Sequence, residues 1–271
     1  MPLLLHRGIT IDYTDAGTGP AVVLVHSSVS GNRQWRALGE VLESSYRVLA
    51  VNLYGYGETS AWDGSRDQTL AAQAELVLAL CDLVDGPLSV VGHSFGGAVA
   101  LKAAAALDER LHRLVLLEPI PFYLLRDHGR DDAYREAQDL RNYVKEAGSI
   151  GDWARVAERF ADYWVGPGTL AAMPVKRRES FIASIPPNFF EWDALERENT
   201  RIEEWASLPA ATMVVCARDS PRSVRELFEL FTIHCPRWTF VELTDGGHMA
   251  PLSRAEVVNP IVQRFLAGAA C

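Results

Sequence analysis

The sequence predicts an α/β fold, a doubly wound and mostly parallel sheet with a helical cap inserted into it. Three observations carry that expectation. Short apolar, β-branched runs recur along the chain, and helical stretches lie between them. One long segment, 119–205, breaks the alternation with amphipathic helical pattern alone. A strand buried on both faces reads as a continuous apolar run, and strands alternating with helices build parallel sheets. Ligands of such sheets sit at the carboxyl ends of the strands.

In chain order, Met1-Pro2-Leu3-Leu4-Leu5-His6-Arg7 has an apolar run but no charged lead and no cleavage site. It reads as a first strand, not a signal peptide. Gly17-Thr18-Gly19-Pro20 is a turn; a strand follows it where a nucleotide loop would need a helix. The buried strands expected next are Ala21 to Val25, Arg47 to Val51, Leu88 to Val91, Leu114 to Leu117, Thr212 to Ala217 and Trp238 to Leu243. Between them helices are expected at Trp35 to Glu43, Leu70 to Leu83, Gly97 to Leu107, Ser223 to Thr232 and Ala255 to Leu266. Residues 1–118 and 206–271 thus make one core domain, and 119–205 a cap rich in aromatics such as Phe122, Trp153, Phe160, Trp164 and Phe181. The cap starts at a strand's carboxyl end, so it should emerge over the site.

Composition narrows the function. The chain has 271 residues, 35 acidic against 26 basic, for a net charge of -9. That balance repels a phosphate backbone. The longest basic run, Lys176-Arg177-Arg178, reads as a solvated helix face. No apolar stretch approaches a membrane span. Cys81, Cys216, Cys235 and Cys271 lack metal-ligand or redox spacing, and Cys81 and Cys216 lie in apolar runs as small buried hydrophobes. No H-E-x-x-H or carboxylate cluster suggests a metal, and no motif suggests an organic cofactor. The expectation is a cytoplasmic protein with a small-molecule substrate and no cofactor, nucleic-acid or membrane partner.

The chemistry concentrates after the third buried strand, in Gly92-His93-Ser94-Phe95-Gly96-Gly97 followed by a helix. This is G-x-S-x-G in a strand–turn–helix setting. A serine on so sharp a turn needs neighbours without side chains, or the backbones collide. The turn lifts Oγ into the open, and the helix start supplies free N–H groups. By chance such a match arises in roughly one chain in ten of this length, so the context carries the weight. Three further segments follow strands: Val25-His26-Ser27-Ser28, with a backbone N–H available to an oxyanion; Asn52 through Ser60; and Asp245-Gly246-Gly247-His248, a short glycine loop able to bring an imidazole toward Ser94.

Together these segments resemble the α/β-hydrolase superfamily over nearly the whole chain, with the cap the weakest part. Capped, esterase-like serine hydrolases of that superfamily share stretches similar to Asp219-Ser220-Pro221 and His248-Met249-Ala250-Pro251. The resemblance implies roles. Ser94 is the nucleophile and His248 the general base, while the Ser28 and Phe95 N–H groups stabilise the oxyanion, each worth roughly 3 kcal/mol. Ser27 stands where the family usually has Gly, and Asn52 where it usually has a loop-bracing Asp. Two residues compete for the acid. The family's usual register after the fifth strand falls on Ser220, one beyond Asp219; Glu118, closing the fourth strand, lies where related capped hydrolases place theirs. His26 and His93 are expected to pack and hydrogen-bond beside the site, and His6, His112, His128 and His234 to be surface or boundary residues. Arg126, Arg130 and Lys145 lie in the cap, where they would favour an anionic substrate if they faced it.

The implied function is hydrolysis of a small-to-medium, mainly apolar ester, lactone or related acyl compound through an acyl-enzyme. A ligand-binding receptor on the same fold is the rival from another class. Carbon–carbon hydrolysis and cofactor-free haloperoxidase-like perhydrolysis stay open within the serine class. Carbon–halogen and epoxide cleavage is disfavoured, since related enzymes use Asp where this chain has Ser94.

Overall fold

The computed structural model describes residues 2–269. Met1 and Cys271, which figure in the expectations above, lie outside them. The chain builds one eight-stranded sheet in the order β1-β2-β4-β3-β5-β6-β7-β8. The strands are β1 Leu3–His6, β2 Ile9–Ala16, β3 Ala21–Val25, β4 Arg47–Val51, β5 Leu88–His93, β6 Leu111–Leu117, β7 Ala211–Ala217 and β8 Thr239–Leu243. From β4 to β8 every pairing is parallel, and β1 and β2 form an antiparallel edge. All six strands fall where the apolar runs predict them, but β8, at the end of the sheet, is largely part-buried or exposed, with only Leu243 buried.

The strand β2 is an addition to the sequence expectation. Its signal is present in the sequence, where Ile9, Ile11 and Tyr13 alternate with Thr10, Asp12 and Thr14, although burial does not follow the alternation and Ile11 and Asp12 are both buried. Arg7 and Gly8 join it to β1, both at positive φ (50° and 83°), as two-residue hairpins with matching twist require.

Alternate residues of each central strand face opposite layers. Val23, Val25, Val90, Leu114 and Val214 pack with α2 (Leu70–Cys81), α3 (Phe95–Leu107) and α11 (Arg222–His234). Val22, Leu24, Val91, Val115 and Val215 pack with α1 (Arg36–Leu42) and α13 (Ala255–Leu266). Period-two alternation thus feeds two cores from one sheet. The short helix α12 (Ala250–Ser253) precedes α13.

Between β6 and β7 the chain is helical throughout: α4 Tyr123–Asp127, α5 Asp131–Ser149, α6 Trp153–Trp164, α7 Thr169–Ala172, α8 Val175–Ala183, α9 Pro186–Glu196 and α10 Ile202–Ala206. In α6 the buried residues Val156, Ala157, Phe160, Ala161 and Trp164 lie three or four apart, one apolar stripe on a polar helix. Asp152 caps it by accepting from the Arg155 N–H at 3.2 Å. No helix among the described residues is long and apolar enough to cross a membrane.

The registers place the site. Val25 pairs with both Val51 and Gly92, His93 with Leu117, and Ala217 with Leu243. The parallel strands therefore end nearly level, and the loops carrying Ser28, Ser94, Glu118, Asp219 and His248 share one edge.

Candidate active site

Ser94 joins β5 to α3 at φ 57°, ψ -122°, a conformation that a residue with a side chain rarely adopts. The neighbouring glycines are a steric necessity. A Cβ on Gly92 would lie 2.4 Å from the Gly96 carbonyl oxygen, and one on Gly96 would lie 2.3 Å from that of His26. The turn is pinned from the next strand, where the Ser94 N–H donates to the Leu117 carbonyl at 2.9 Å.

His248 and Glu118 meet this serine. His248 Nε2 lies 2.8 Å from Ser94 Oγ, and Nδ1 lies 2.7 Å from Glu118 Oε2. A carboxylate only accepts, so Nδ1 carries the proton and Nε2 is free to accept from Oγ–H. All three side chains are buried. Glu118, itself at positive φ (47°), is held through Oε1 by the Ala217 N–H at 2.7 Å and Ser220 Oγ–H at 2.6 Å.

Asp219, the other acid candidate, does not touch His248. It is exposed and accepts from the Gly246 and Gly247 N–H groups at 3.2 and 2.8 Å, bracing the loop that ends in His248. The family register after β7 thus holds Ser220, a hydroxyl that donates to Glu118 from the turn following that strand.

The Ser28 and Phe95 backbone N–H groups, one after β3 and one at the start of α3, have no hydrogen-bond partner among the described residues. The loop bearing Ser28 is tied down on all sides. Ser27 donates through N and Oγ to Gln34 Oε1 (2.9 and 2.8 Å), Gln34 Nε2 donates to His93 Nδ1 (3.0 Å), and His93 Nε2 donates to the His248 carbonyl (2.9 Å). One chain of hydrogen bonds therefore links this loop to the backbone of His248. Val29, a β-branched residue at φ 66°, is kept there by its N–H donating to Tyr56 Oη at 2.9 Å.

The helical insertion contributes a buried carboxyl to the same loop. Glu191 of α9 accepts from Ser28 Oγ (2.5 Å), Tyr56 Oη (2.9 Å) and Asn188 Nδ2 (3.0 Å). Burial pushes the Glu191 carboxyl above its usual range, against the pull of these donors. Asn52 braces its own loop, donating to Asp12 Oδ2 at 2.8 Å and accepting from the Asn32 N–H at 2.7 Å. Gln34, Tyr56 and Glu191 carry no sequence signal for these contacts.

His26 and His93 are fully buried and hydrogen-bonded. Burial pushes His26 down to about 4 and His93 well below its usual 6.5. A histidine depressed on folding binds fewer protons in the folded than in the unfolded chain. Its contribution is therefore intact above the unfolded value and lost as pH falls from 6.5 toward the folded value near 4. Each such group contributes a slope of about 1.4 kcal/mol per pH unit. The expected result is a fall of about 3 kcal/mol or more in unfolding free energy across that window, measured by urea denaturation at stepped pH. In His26→Gln the slope should drop by one proton; an unchanged slope would assign it elsewhere.

Above Ser94 the insertion closes down. The cavity beside Ser94 is about 50 Å³, lined by Ser28, Val29, Ser94, Phe160, Trp164, Phe181, His248 and Met249 among others. A water needs roughly 10–15 Å³, so this space admits a group of only a few heavy atoms. The Trp164 indole stacks on the His248 ring at 3.9 Å between centroids, and its buried Nε1 has no partner among the described residues. The basic side chains considered for an anionic substrate lie elsewhere. Arg126 pairs with Asp127, Arg130 with Glu226 and Glu229, and Lys145 with Asp193, and none lines the cavity.

Comparison with known proteins agrees with this architecture. A profile of the alpha/beta hydrolase family matches residues 22–261. Lipase LipV of Mycobacterium tuberculosis is 30% identical over 270 residues, covering 92% of this chain and 94% of that one. Among solved structures, an esterase from Thermogutta terrifontis superposes with a TM-score of 0.72 at 24% identity, covering 96% of this chain and 94% of the other. The enol-lactonase from Burkholderia xenovorans gives 0.74 at 20%, covering 98% and 100%. These structural likenesses speak for the fold. With a profile that spans most of its length and a relative aligned almost end to end, the protein belongs to the alpha/beta hydrolase family.

Proposed function

We propose that the protein is a serine hydrolase of small-to-medium, mainly apolar carboxylic esters or lactones, acting through an acyl-enzyme, with residues 119–205 as its cap. The observation that carries this reading is the buried chain of hydrogen bonds Ser94–His248–Glu118. In it, Ser94 Oγ attacks the acyl carbon while His248 Nε2 takes its proton. The acyl C–O bond breaks as His248 returns that proton to the leaving alkoxide, freeing the alcohol. A water then attacks the acyl-enzyme by the same route and releases the acid and Ser94. Glu118 holds the imidazole tautomer and offsets its transient charge. The Ser28 and Phe95 N–H groups serve as the oxyanion donors. Relatives named as a lipase, an esterase and an enol-lactonase support acyl chemistry.

A cavity of about 50 Å³ limits the group bound directly beside Ser94. Each methylene buried contributes about 0.8 kcal/mol until the space is full, after which overpacking reverses the gain. Across aryl esters of graded acyl length, kcat/KM should therefore pass through an optimum at short chains. Trp164→Ala, which removes the roof over His248, should move that optimum to longer ones. A steady rise to long chains in the parent protein would contradict a cavity of this size as the acyl site. Slow single-turnover behaviour across the whole series would favour a receptor.

A further inference from the structure

Two open spaces flank the catalytic cavity, and they differ in charge. Beyond Trp164 and His248 lies a cleft of about 600 Å³ that carries Glu136, Asp162 and Asp219 against the single cation Arg159. On the side of the Ser28 loop, a groove of about 610 Å³ runs along the seam between the core helices α1 and α12 and the insertion helices α7 and α8. Val29, Ser30, Val165, Phe181 and Met249 border both this groove and the cavity at Ser94, so the two are contiguous. Its charged residues are Arg33, Arg36 and Arg177, with no Asp or Glu in the lining, in a chain of net charge -9. Between them lie the apolar side chains of Met173, Pro251 and Leu252.

Arg36 is paired with Glu40 at 3.2 Å, whereas the side chains of Arg33 and Arg177 have neither ion pair nor hydrogen bond among the described residues. Their placement follows from local geometry. Arg177 precedes Phe181 by one turn of α8, so the helix face that supplies Phe181 to the cavity presents Arg177 to the groove. Arg33 stands on the helical turn Asn32–Trp35 that directly follows the Ser28 loop.

We propose that this groove binds the larger arm of the substrate, an apolar chain ending in a carboxylate held by Arg33 and Arg177. The smaller arm of the ester occupies the cavity beside Ser94. The proposal rests on the ester-hydrolase reading and adds the substrate class to it. A guanidinium matches a carboxylate through two parallel N–H donors. The acidic cleft, which meets the groove at Val165, Met249 and Ser253, repels the same carboxylate, so the charge asymmetry selects one approach to Ser94.

Two matched pairs of esters test this, read by acid release: hexyl acetate against the acetate ester of ω-hydroxyhexanoate, and methyl hexanoate against monomethyl adipate. The carboxylate member of at least one pair should have a kcat/KM about tenfold higher, mainly through KM, with the advantage shrinking at high salt. In Arg33→Gln/Arg177→Gln the ratio within that pair should fall to about one. Arg135→Gln/Arg201→Gln, which removes equal charge from elsewhere on the surface, should leave it unchanged. Equal or inverted preference in both pairs, or a preference that survives the groove variant, overturns the proposal. Calorimetric titration of Ser94→Ala with each carboxylate ester separates the two readings. Binding that depends on Arg33 and Arg177 without turnover by the parent protein would refute ester hydrolysis and sustain the groove; no binding and no carboxylate preference would refute the groove alone.

Discussion

Replacing Ser94 by alanine should abolish turnover, by about 10⁴-fold or more, while leaving the thermal unfolding midpoint within a few degrees of the parent. The substitution removes Oγ and its contact with His248 Nε2, but keeps the main-chain bond to Leu117 that holds the turn. What residual rate remains would come from the unoccupied N–H donors of Ser28 and Phe95, which the substitution does not touch. The parent protein, quenched during turnover of an activated ester, should carry the acyl group on the peptide containing Ser94, releasable by hydroxylamine. Hydrolysis by the variant within tenfold of the parent would remove Ser94 from the nucleophile's role.

Glu118→Gln should be nearly as damaging, with kcat falling about 10⁴-fold. An amide in place of the carboxylate can present N–H to His248 Nδ1, which favours the wrong tautomer and leaves the imidazolium without its counter-charge. The neighbours of Glu118 Oε1, the Ala217 N–H and Ser220 Oγ–H, are donors and select for an acceptor at that position. Asp219→Asn should cost far less, because one amide oxygen can still accept from a glycine N–H of the loop before His248. The two kcat values, measured on one good ester, decide the matter. Comparable small losses in both variants would mean that neither carboxylate supports His248.

Much of the fold was legible because the central strands are buried on both faces and leave uninterrupted apolar runs. Ala21–Val25 and Arg47–Val51 match residue for residue. Strand β2 escaped because Asp12 and the threonines dilute its apolar content, although the sequence alternation is regular. Helix α3 begins two residues before its expected start, since Ser94 ends the strand so abruptly that Phe95 is already helical. In the site, Ser94 and His248 could be named from glycine patterns, which record backbone strain locally. The candidate acid could only be narrowed to two, of which the geometry favours Glu118. Its partners are set by how β6 and β7 lie side by side, bringing Glu118 against Ala217 from 99 positions away. Glu191 lay beyond reach for the same reason, as its contact with Ser28 spans 163 positions. Trp164 was one aromatic among many, and nothing in its local spacing distinguished the ring that lies over the imidazole.

The insertion is not an interchangeable module. Glu191 belongs to it, yet two of that carboxyl's three donors, Ser28 and Tyr56, belong to the core, and Tyr56 in turn fixes the backbone of Val29. A chimera that grafts another family member's helices between β6 and β7 would strand both hydroxyls in a dry interior unless the graft brought its own acceptor. It would also free the strained main chain at Val29, next to the Ser28 N–H that we propose as an oxyanion donor. Specificity in this scaffold is therefore better altered by single side chains on α6 and α8 than by exchanging whole segments, because an exchange would remove the buried carboxyl that the Ser28 loop depends on.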